Sequence, residues 1–177
     1  LFYIICLLYS FLYLIMSKLL QRKSVIKVKE FLEYIDQSIE LIVLEETART
    51  AIDAASSLNK EVGAIVKSLL FKTKETNNYY LCLVSGDKYA DTNKISKLVN
   101  KSIEKANADE CKEFTGFSIG GVSPVAHDNV PNQIFIDENL NRYKMIYAAA
   151  GHPFVVFEIS YEKLCKITKG KKYNITE

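Results

Sequence analysis

Apolar positions along the chain follow two different periods, one typical of helices and one typical of strands. Over residues 17–35 they recur every three or four residues, which predicts an amphipathic helix. Residues 38–44 have the composition of a strand. Thr50 and Asp53 have the spacing of a capping box, so a short helix is predicted to begin after Thr50 and run through AIDAASSL.

From residue 64 onward the pattern changes to many short strands separated by helices. Residues 64–71 and 79–84 predict two strands that are joined by the polar hairpin connection KTKETNN. Further strands are predicted at 133–136, 145–149 and 154–159, with a turn at 137–139 and, at 114–127, a strand entering a loop. Helices are predicted at 92–105, at 109–113 and from Ser160 to about 164, and the polar tail KITKGKKYNITE is expected to fray. Because strand and helix do not alternate regularly, the chain predicts one α/β domain on a curved mixed sheet and not a doubly wound parallel fold.

Composition limits the kinds of partner. The chain has 177 residues and a formal net charge of only +2, so a nucleic acid would be bound weakly, locally or with assistance. Four cysteines are scattered without a CxxC or Cys/His cluster, which predicts reduced thiols and no structural zinc: Cys6, Cys82, Cys111 and Cys165.

The first 16 residues, LFYIICLLYSFLYLIM, are almost wholly apolar. They are too short for a comfortable membrane helix of about 20 residues, and they lack the basic start and small-residue cleavage site of a signal peptide. We expect residues 1–15 to come from an upstream start assignment, with the working domain at 16–177. A short membrane-associating helix is the alternative.

The segment TGFSIGGVSPVAH, residues 115–127, is the most informative for chemistry. Gly120 and Gly121 allow a tight turn and a close approach by a ligand, and Pro124 fixes the exit of the loop. Such a turn can direct backbone N–H groups at a carbonyl oxygen, as an oxyanion site requires. A plain structural turn is the alternative.

Two other segments hold candidate side chains. Lys67 lies among apolar neighbours in AIVKSLLF, where it either faces a pocket or protects an edge strand. In YAAAGHP, small residues leave room near Gly151 and His152. His152 and His127 can each bind substrate or donate a proton, or be structural. HExxH, Walker A and GxGxxG motifs are absent from the sequence, which disfavours the enzyme classes that need them.

In this order, the segments resemble the YbaK-type editing domains and those associated with prolyl-tRNA synthetase. The likeness begins at TARTAIDAASSL and continues through AIVKSLLF, VSGDK, DTNKISKLV, TGFSIGGVSP, FIDENL and YAAAGHPFVVFEIS. It covers roughly residues 44–168. The resemblance implies a mixed, barrel-like sheet surrounded by helices, and a cytoplasmic hydrolase that removes a wrong, small amino acid from tRNA for proline or a related tRNA.

The resemblance also implies the site. The family lysine corresponds to Lys67 and the G-x-x-x-P loop to residues 120–124, so Lys67, Gly120 and Gly121 are the expected catalytic residues. The residues expected to bind substrate are Val122, Ser123, Pro124, Ser68, Gly151 and His152. No cofactor or metal is implied, since the substrate's own ribose hydroxyl is thought to assist in several family members. The expected partners are the 3′ acceptor end of aminoacyl-tRNA and a synthetase, with no role for DNA or a membrane.

The sequence leaves the amino acid, the tRNA and the oligomeric state open. The alternatives are a non-catalytic module of the same fold that binds tRNA or a synthetase, and a hydrolase for another small acyl ester. A membrane-tethered function would depend on residues 1–15 alone.

Overall fold

The computed structural model describes residues 16–44, 50–74 and 76–177. In these ranges, residues 16–20 are helical, and the helices α1 to α5 are Lys23–Ile35, Ala51–Leu58, Thr92–Val99, Ala108–Thr115 and Tyr161–Thr168. Short 3₁₀ helices lie at Val62–Ala64 and Glu138–Arg142. The strands β1 to β8 are Leu41–Val43, Ile65–Thr73, Tyr79–Ser85, Ile103–Lys105, Gln133–Asp137, Ile146–His152, Val155–Ile159 and Lys171–Tyr173.

Within the described residues, the eight strands form one mixed sheet in the order β1-β7-β6-β2-β3-β5-β8, and β4 pairs with β2. Strand β2 is antiparallel to β3 and β4 and parallel to β6. The β3–β5 and β5–β8 pairs are also parallel. The predicted α/β class with a mixed sheet and flanking helices is confirmed. The sheet is open, with β1 and β8 at its two ends.

Helix α1 covers one part of the sheet, where it contacts β6. Its residues Val25, Val28 and Leu32 are fully buried, as the three- and four-residue spacing predicts. The predicted helix 17–35 is interrupted at residues 21–22, so the helical turn 16–20 is separate from α1. None of the helices in the described ranges is long and apolar enough to cross a bilayer. The predicted extension, residues 1–15, lies outside the described residues, as does Cys6.

Local capping determines where the short helices begin. Thr50 Oγ1 accepts the N–H of Asp53 at 3.1 Å and the Asp53 carboxylate accepts the N–H of Thr50 at 3.1 Å, so the predicted capping box is confirmed. Ser160 caps α5 as predicted. The predicted strands of the hairpin are also present, as β2 and β3.

Two predicted elements are wrong. The helix predicted at 92–105 ends at Val99, because Asn100 adopts a left-handed conformation and Ile103–Lys105 pairs with β2 instead. The strand predicted within 114–127 is absent: Phe114 and Thr115 close α4, and Gly116, also left-handed, starts an irregular loop. Each helix therefore ends at a residue that readily adopts the left-handed conformation, Asn100 in the first case and Gly116 in the second.

The expectation of a fraying tail is also wrong. Lys171–Tyr173 forms β8 beside β5, and Ile175 and Thr176 are buried. Residue 90 forms an isolated bridge with Thr176. The tail therefore closes one side of the molecule, because Ile175 inserts into the core formed with β3 and β5.

Candidate functional site

A cavity of about 290 Å³ opens beside β2, where this strand loses a paired neighbour. Pairing of β2 with β6 ends at Val66 and Ala148, and pairing with β4 begins at Phe71. Helix α2, the end of β4 and the loop after α4 close the space around this stretch. Four of the predicted site residues line the cavity: Lys67, Ser68, Gly120 and Val122. The remaining walls are mainly apolar, as in small-molecule sites generally.

Ser68 lies at the centre of the unpaired stretch of β2. Leu70 accepts the N–H of Ala106 from the β4 side at 2.9 Å, whereas Thr73 donates to Asn78 on the β3 side at 3.0 Å. Since backbone groups of successive strand residues point to opposite sides, the N–H and C=O of Ser68 face the gap. Ser68 Oγ is buried and has no hydrogen-bond partner among the described residues. Polar atoms of this kind cost free energy unless a ligand or water satisfies them.

Lys67 places a positive charge at the same cavity. Strand β2 lies inside the sheet order, between β6 and β3, and is not an edge strand, although residues 67–69 pair with β3 alone. The Lys67 ammonium donates to the carbonyl of Lys88. Burial lowers the pKa of Lys67, and the charge of Asp87 partly offsets this effect. The group is therefore a half-buried cation held in one place, suited to a negatively charged or polarised oxygen.

The glycine loop, residues 120–124, also contributes to the cavity, through Gly120 and Val122. Gly120 has a φ of +89°, which favours glycine, and Gly121 donates its N–H to Ser118 at 2.9 Å. A Cβ on Gly121 would lie 2.8 Å from the Cα of His152, so the loop packs directly on the end of β6. Among the described residues, no backbone acceptor receives the N–H groups of Gly120 and Val122. These two groups are the candidate oxyanion donors.

Ser123 and Pro124 are buried behind the loop and do not line the cavity. Ser123 Oγ accepts the N–H of Val125 at 3.3 Å, and its carbonyl lies 2.7 Å from Nε2 of His127. Nε2 of His127 is therefore protonated and donates this bond, because a carbonyl oxygen can only accept. His127 is structural in this arrangement, because it fixes the loop from outside the cavity.

The buried position of His127 makes stability sensitive to acid. Burial lowers the pKa of His127, with a further lowering by Lys27 and opposing effects from Ser123 and Asp128. As the pH falls below the unfolded-state pKa of about 6.5, the unfolded chain binds the proton first. The contribution of His127 to the free energy of unfolding is therefore fully present above that pH and declines below it. We expect the urea concentration at the midpoint of unfolding to be lower at about pH 5.5 than at about pH 7.5. The difference should be smaller in His127→Gln, whose side-chain amide keeps a neutral donor. An equal decline in both proteins would contradict this role.

Gly151 and His152 lie beside the cavity and do not line it. Gly151 has a φ of +85°, and a Cβ there would collide with the backbone oxygen of Ser24 at the start of α1. His152 Nδ1 accepts the N–H of Phe154 at 3.2 Å, so Nε2 carries the proton. Burial lowers the pKa of His152, and Arg22 lowers it further. Their predicted role in substrate binding stays a prediction.

Sequence reasoning missed several residues of the cavity. Lys105 was hidden because its segment was predicted to be helical, and Thr50 was interpreted only as a cap. Ile119 is 58% exposed beside Gly120, and this exposed apolar side chain next to two glycines is the signal that could have identified it. Tyr147 and Ala149 enter the wall from β6.

The described walls of the cavity hold no carboxylate and no histidine. Cys111 is the one sulfur there, and burial raises the pKa of its thiol, which disfavours the nucleophilic thiolate. The arrangement therefore offers a fixed cation, backbone N–H donors and a buried hydroxyl. These groups can bind and polarise an ester, while the attacking oxygen must come from water or the substrate.

Comparison with known proteins gives a family. Residues 45–167 match the family described as "Aminoacyl-tRNA editing domain". An uncharacterised protein of Bacillus subtilis (strain 168), YwhH, is 27% identical over 129 residues, which are 72% of this chain and 80% of that protein. A proline–tRNA ligase of Thermosipho africanus (strain TCF52B) is 35% identical over 50% of this chain, but the match spans only 16% of the ligase.

Solved structures show the same fold. The crystal structure of a protein proposed to be a trans-editing enzyme for prolyl tRNA synthetase has a TM-score of 0.81 and 34% identity, covering 88% of this chain and 98% of that one. The hypothetical protein APE2540 has a TM-score of 0.78 and 29% identity, covering 85% and 99%. The family match extends over more than half of the chain and includes the cavity-lining parts of β2, β6 and the glycine loop. The chain belongs to the aminoacyl-tRNA editing domain family.

Proposed function

We propose that this protein is a trans-editing hydrolase that cleaves a small, wrong amino acid from tRNA, with tRNA for proline or a related tRNA as the carrier. The observation that carries the proposal is the cavity itself, which is lined by both Lys67 and the glycine-loop residues Gly120 and Val122. Family membership and the likeness to the prolyl-tRNA-related proteins support the choice of substrate.

In the proposed mechanism, the aminoacyl ester enters with its carbonyl oxygen toward the loop. The N–H groups of Gly120 and Val122 stabilise the negative charge that develops on this oxygen, and Lys67 holds the neighbouring phosphate or the ester. The amino acid side chain lies along β2 near Ser68. Because the described walls hold no carboxylate or histidine to act as general base, the attacking water is activated by the substrate's own ribose hydroxyl. The protein contributes position and electrostatic stabilisation.

Cavity size limits the amino acid to a small one, since a space of about 290 Å³ must also hold the ester. Apolar walls alone discriminate weakly, by about 10- to 200-fold for one methylene. A hydrogen bond to the orphaned hydroxyl of Ser68 would add selectivity between polar and apolar side chains of equal size.

The Ser68→Ala variant tests this selectivity. One neutral hydrogen bond contributes about 1 kcal/mol, so the ratio of kcat/KM for seryl over alanyl ester should fall by about five- to tenfold. The variant should not lose stability, because the hydroxyl has no protein partner to abandon. The measurement is hydrolysis of both esters on the same tRNA, with thermal unfolding as the control. An unchanged ratio would show that Ser68 does not contact the side chain.

A binding module of the same fold is the second candidate, favoured by the absence of carboxylates and histidines from the described cavity walls. It predicts that aminoacyl-tRNA binds to the full chain without losing its amino acid. The two proposals are distinguished by release of labelled amino acid under conditions in which binding is saturated.

A further inference from the structure

The turn after β3 carries an exposed tyrosine on a firmly held backbone. Arg142 binds both carboxylate oxygens of Asp87, at 2.7 and 2.9 Å, and Ser85 Oγ lies 2.8 Å from the same carboxylate. The N–H of Lys88 donates to Ser85 at 3.0 Å, closing the turn. These contacts fix the backbone of the turn that leads to Tyr89.

Tyr89 is held from the other side by the C-terminal tail. Its carbonyl accepts the N–H of Glu177 at 3.1 Å, next to the bridge between Ala90 and Thr176. The side chain is nevertheless 76% exposed. A large aromatic ring in solvent on a fixed backbone is preorganised for stacking, because little backbone entropy is lost when a ligand binds.

The position of the ring connects it to the cavity. The Lys67 ammonium lies 5.2 Å from the centroid of the Tyr89 ring, on one face, which leaves the other face to solvent. Other exposed tyrosines of the described chain lie elsewhere: Tyr34 is on α1, and Tyr173 packs edge-on against Phe135. Tyr89 therefore stands beside the lysine of the site.

We propose that Tyr89 is the stacking platform for the unpaired base at the 3′ end of the RNA. This inference rests on the proposed function, in which the amino acid is esterified to the ribose of that terminal nucleotide. When the ester lies near Lys67, the base of the same nucleotide lies one ribose away from the ester. The Tyr89 ring, 5.2 Å from the Lys67 ammonium, is within reach of that base. Stacking of one base on an aromatic ring contributes about 1–3 kcal/mol of binding free energy, whichever base it is.

The charge of the chain explains why stacking is needed. A net charge of +2 gives little general attraction for RNA, so local contacts must supply the affinity. Two exposed lysines add cations near the cavity: Lys105 lines it, and Lys60 lies 5.6 Å from the ring of Tyr147 in its wall. These cations can position the phosphates while Tyr89 holds the base.

Binding of an RNA that carries no amino acid tests the stacking role of Tyr89 separately from hydrolysis. The probe is an acceptor-stem hairpin with a single-stranded 3′ end, compared with the same hairpin carrying an abasic terminal nucleotide. For the full chain, we expect Tyr89→Ala to bind the intact hairpin about 10- to 100-fold more weakly, and Tyr89→Phe to bind it normally. Tyr34→Ala is the matched control, an exposed tyrosine on α1, and should leave the affinity unchanged.

The abasic hairpin completes the test. It should bind the unmodified protein as weakly as Tyr89→Ala binds the intact hairpin, and Tyr89→Ala should show no further loss with it. Equal affinity of Tyr89→Ala and the unmodified protein for the intact hairpin would overturn the proposal. The proposal would also be overturned if removal of the terminal base weakened binding to Tyr89→Ala as much as binding to the unmodified protein. Because the probe carries no amino acid, a protein that stacks RNA but does not hydrolyse an ester would fail only the proposed function.

Discussion

The Lys67→Met variant is expected to lose at least about 100-fold in kcat/KM for aminoacyl-tRNA while it keeps its fold. Methionine retains the apolar stem of the side chain and removes only the charge and its donors. Because burial already lowers the pKa of Lys67, the charged form is held against a desolvation cost, and its removal should not destabilise the protein. Measured deacylation rates, together with thermal unfolding, give the comparison.

Lys74→Met is the matched control for this substitution. Lys74 follows the same strand, β2, is exposed, and does not line the cavity. Its loss should leave the rate within about twofold, as is usual for exposed surface positions. If both variants retained full activity, Lys67 would have no catalytic part, and if both lost activity, the effect would reflect net charge and not position.

A second large effect is expected from Gly121→Ala. The added Cβ would meet the backbone of His152 at 2.8 and 2.9 Å, and backbone atoms cannot move aside as the end of a side chain can. The loop must therefore shift away from β6, taking the N–H groups of Gly120 and Val122 out of position. Loss of one oxyanion donor typically costs about 10²–10³ in rate, and we expect a fall in kcat of this size.

Gly170→Ala separates this effect from general crowding. A Cβ on Gly170 would also be too close to its neighbours, at 2.5 Å from Ile136, but neither residue lines the cavity. We expect a loss of stability of about 1–3 kcal/mol without a loss of kcat at temperatures where the variant is folded. A normal kcat in Gly121→Ala would show that the loop does not hold the oxyanion.

Elements that depend on short-range signals were predictable from the sequence. The capping box at Thr50 needs only two residues three positions apart, and the hairpin of β2 and β3 needs only two apolar runs and a polar connection. Lys67 was identifiable because a charge among apolar neighbours is visible in the sequence itself.

Features created by long-range pairing were not predictable in this way. The strand Ile103–Lys105 exists because it pairs with β2 some 30 residues earlier in the chain, and a helical pattern in its own segment hid it. The tail is ordered by β5 and not by its own polar composition. The orphaned hydroxyl of Ser68 depends on where β6 leaves β2, which no local pattern records.

The candidate site also combines features that are visible in the local sequence with features that depend on long-range contacts. The glycine loop could be identified from its residues, but which of its N–H groups are free depends on the turn that uses Gly121 and on the contact with β6. His127 could be either a ligand-binding or a structural residue from sequence alone. Its hydrogen bond to Ser123 assigns it to the support of the loop.

The most direct test of the proposed hydrolase activity is hydrolysis across a panel of aminoacyl-tRNAs. The full chain is incubated with tRNA for proline carrying Ala, Cys, Ser or Thr, and with each amino acid on its cognate tRNA, and released labelled amino acid is measured. We expect rapid hydrolysis of at least one small amino acid on tRNA for proline, with that activity lost in Lys67→Met. Stable esters across the whole panel, with folded protein that binds the tRNA, would contradict the hydrolase and leave the binding module.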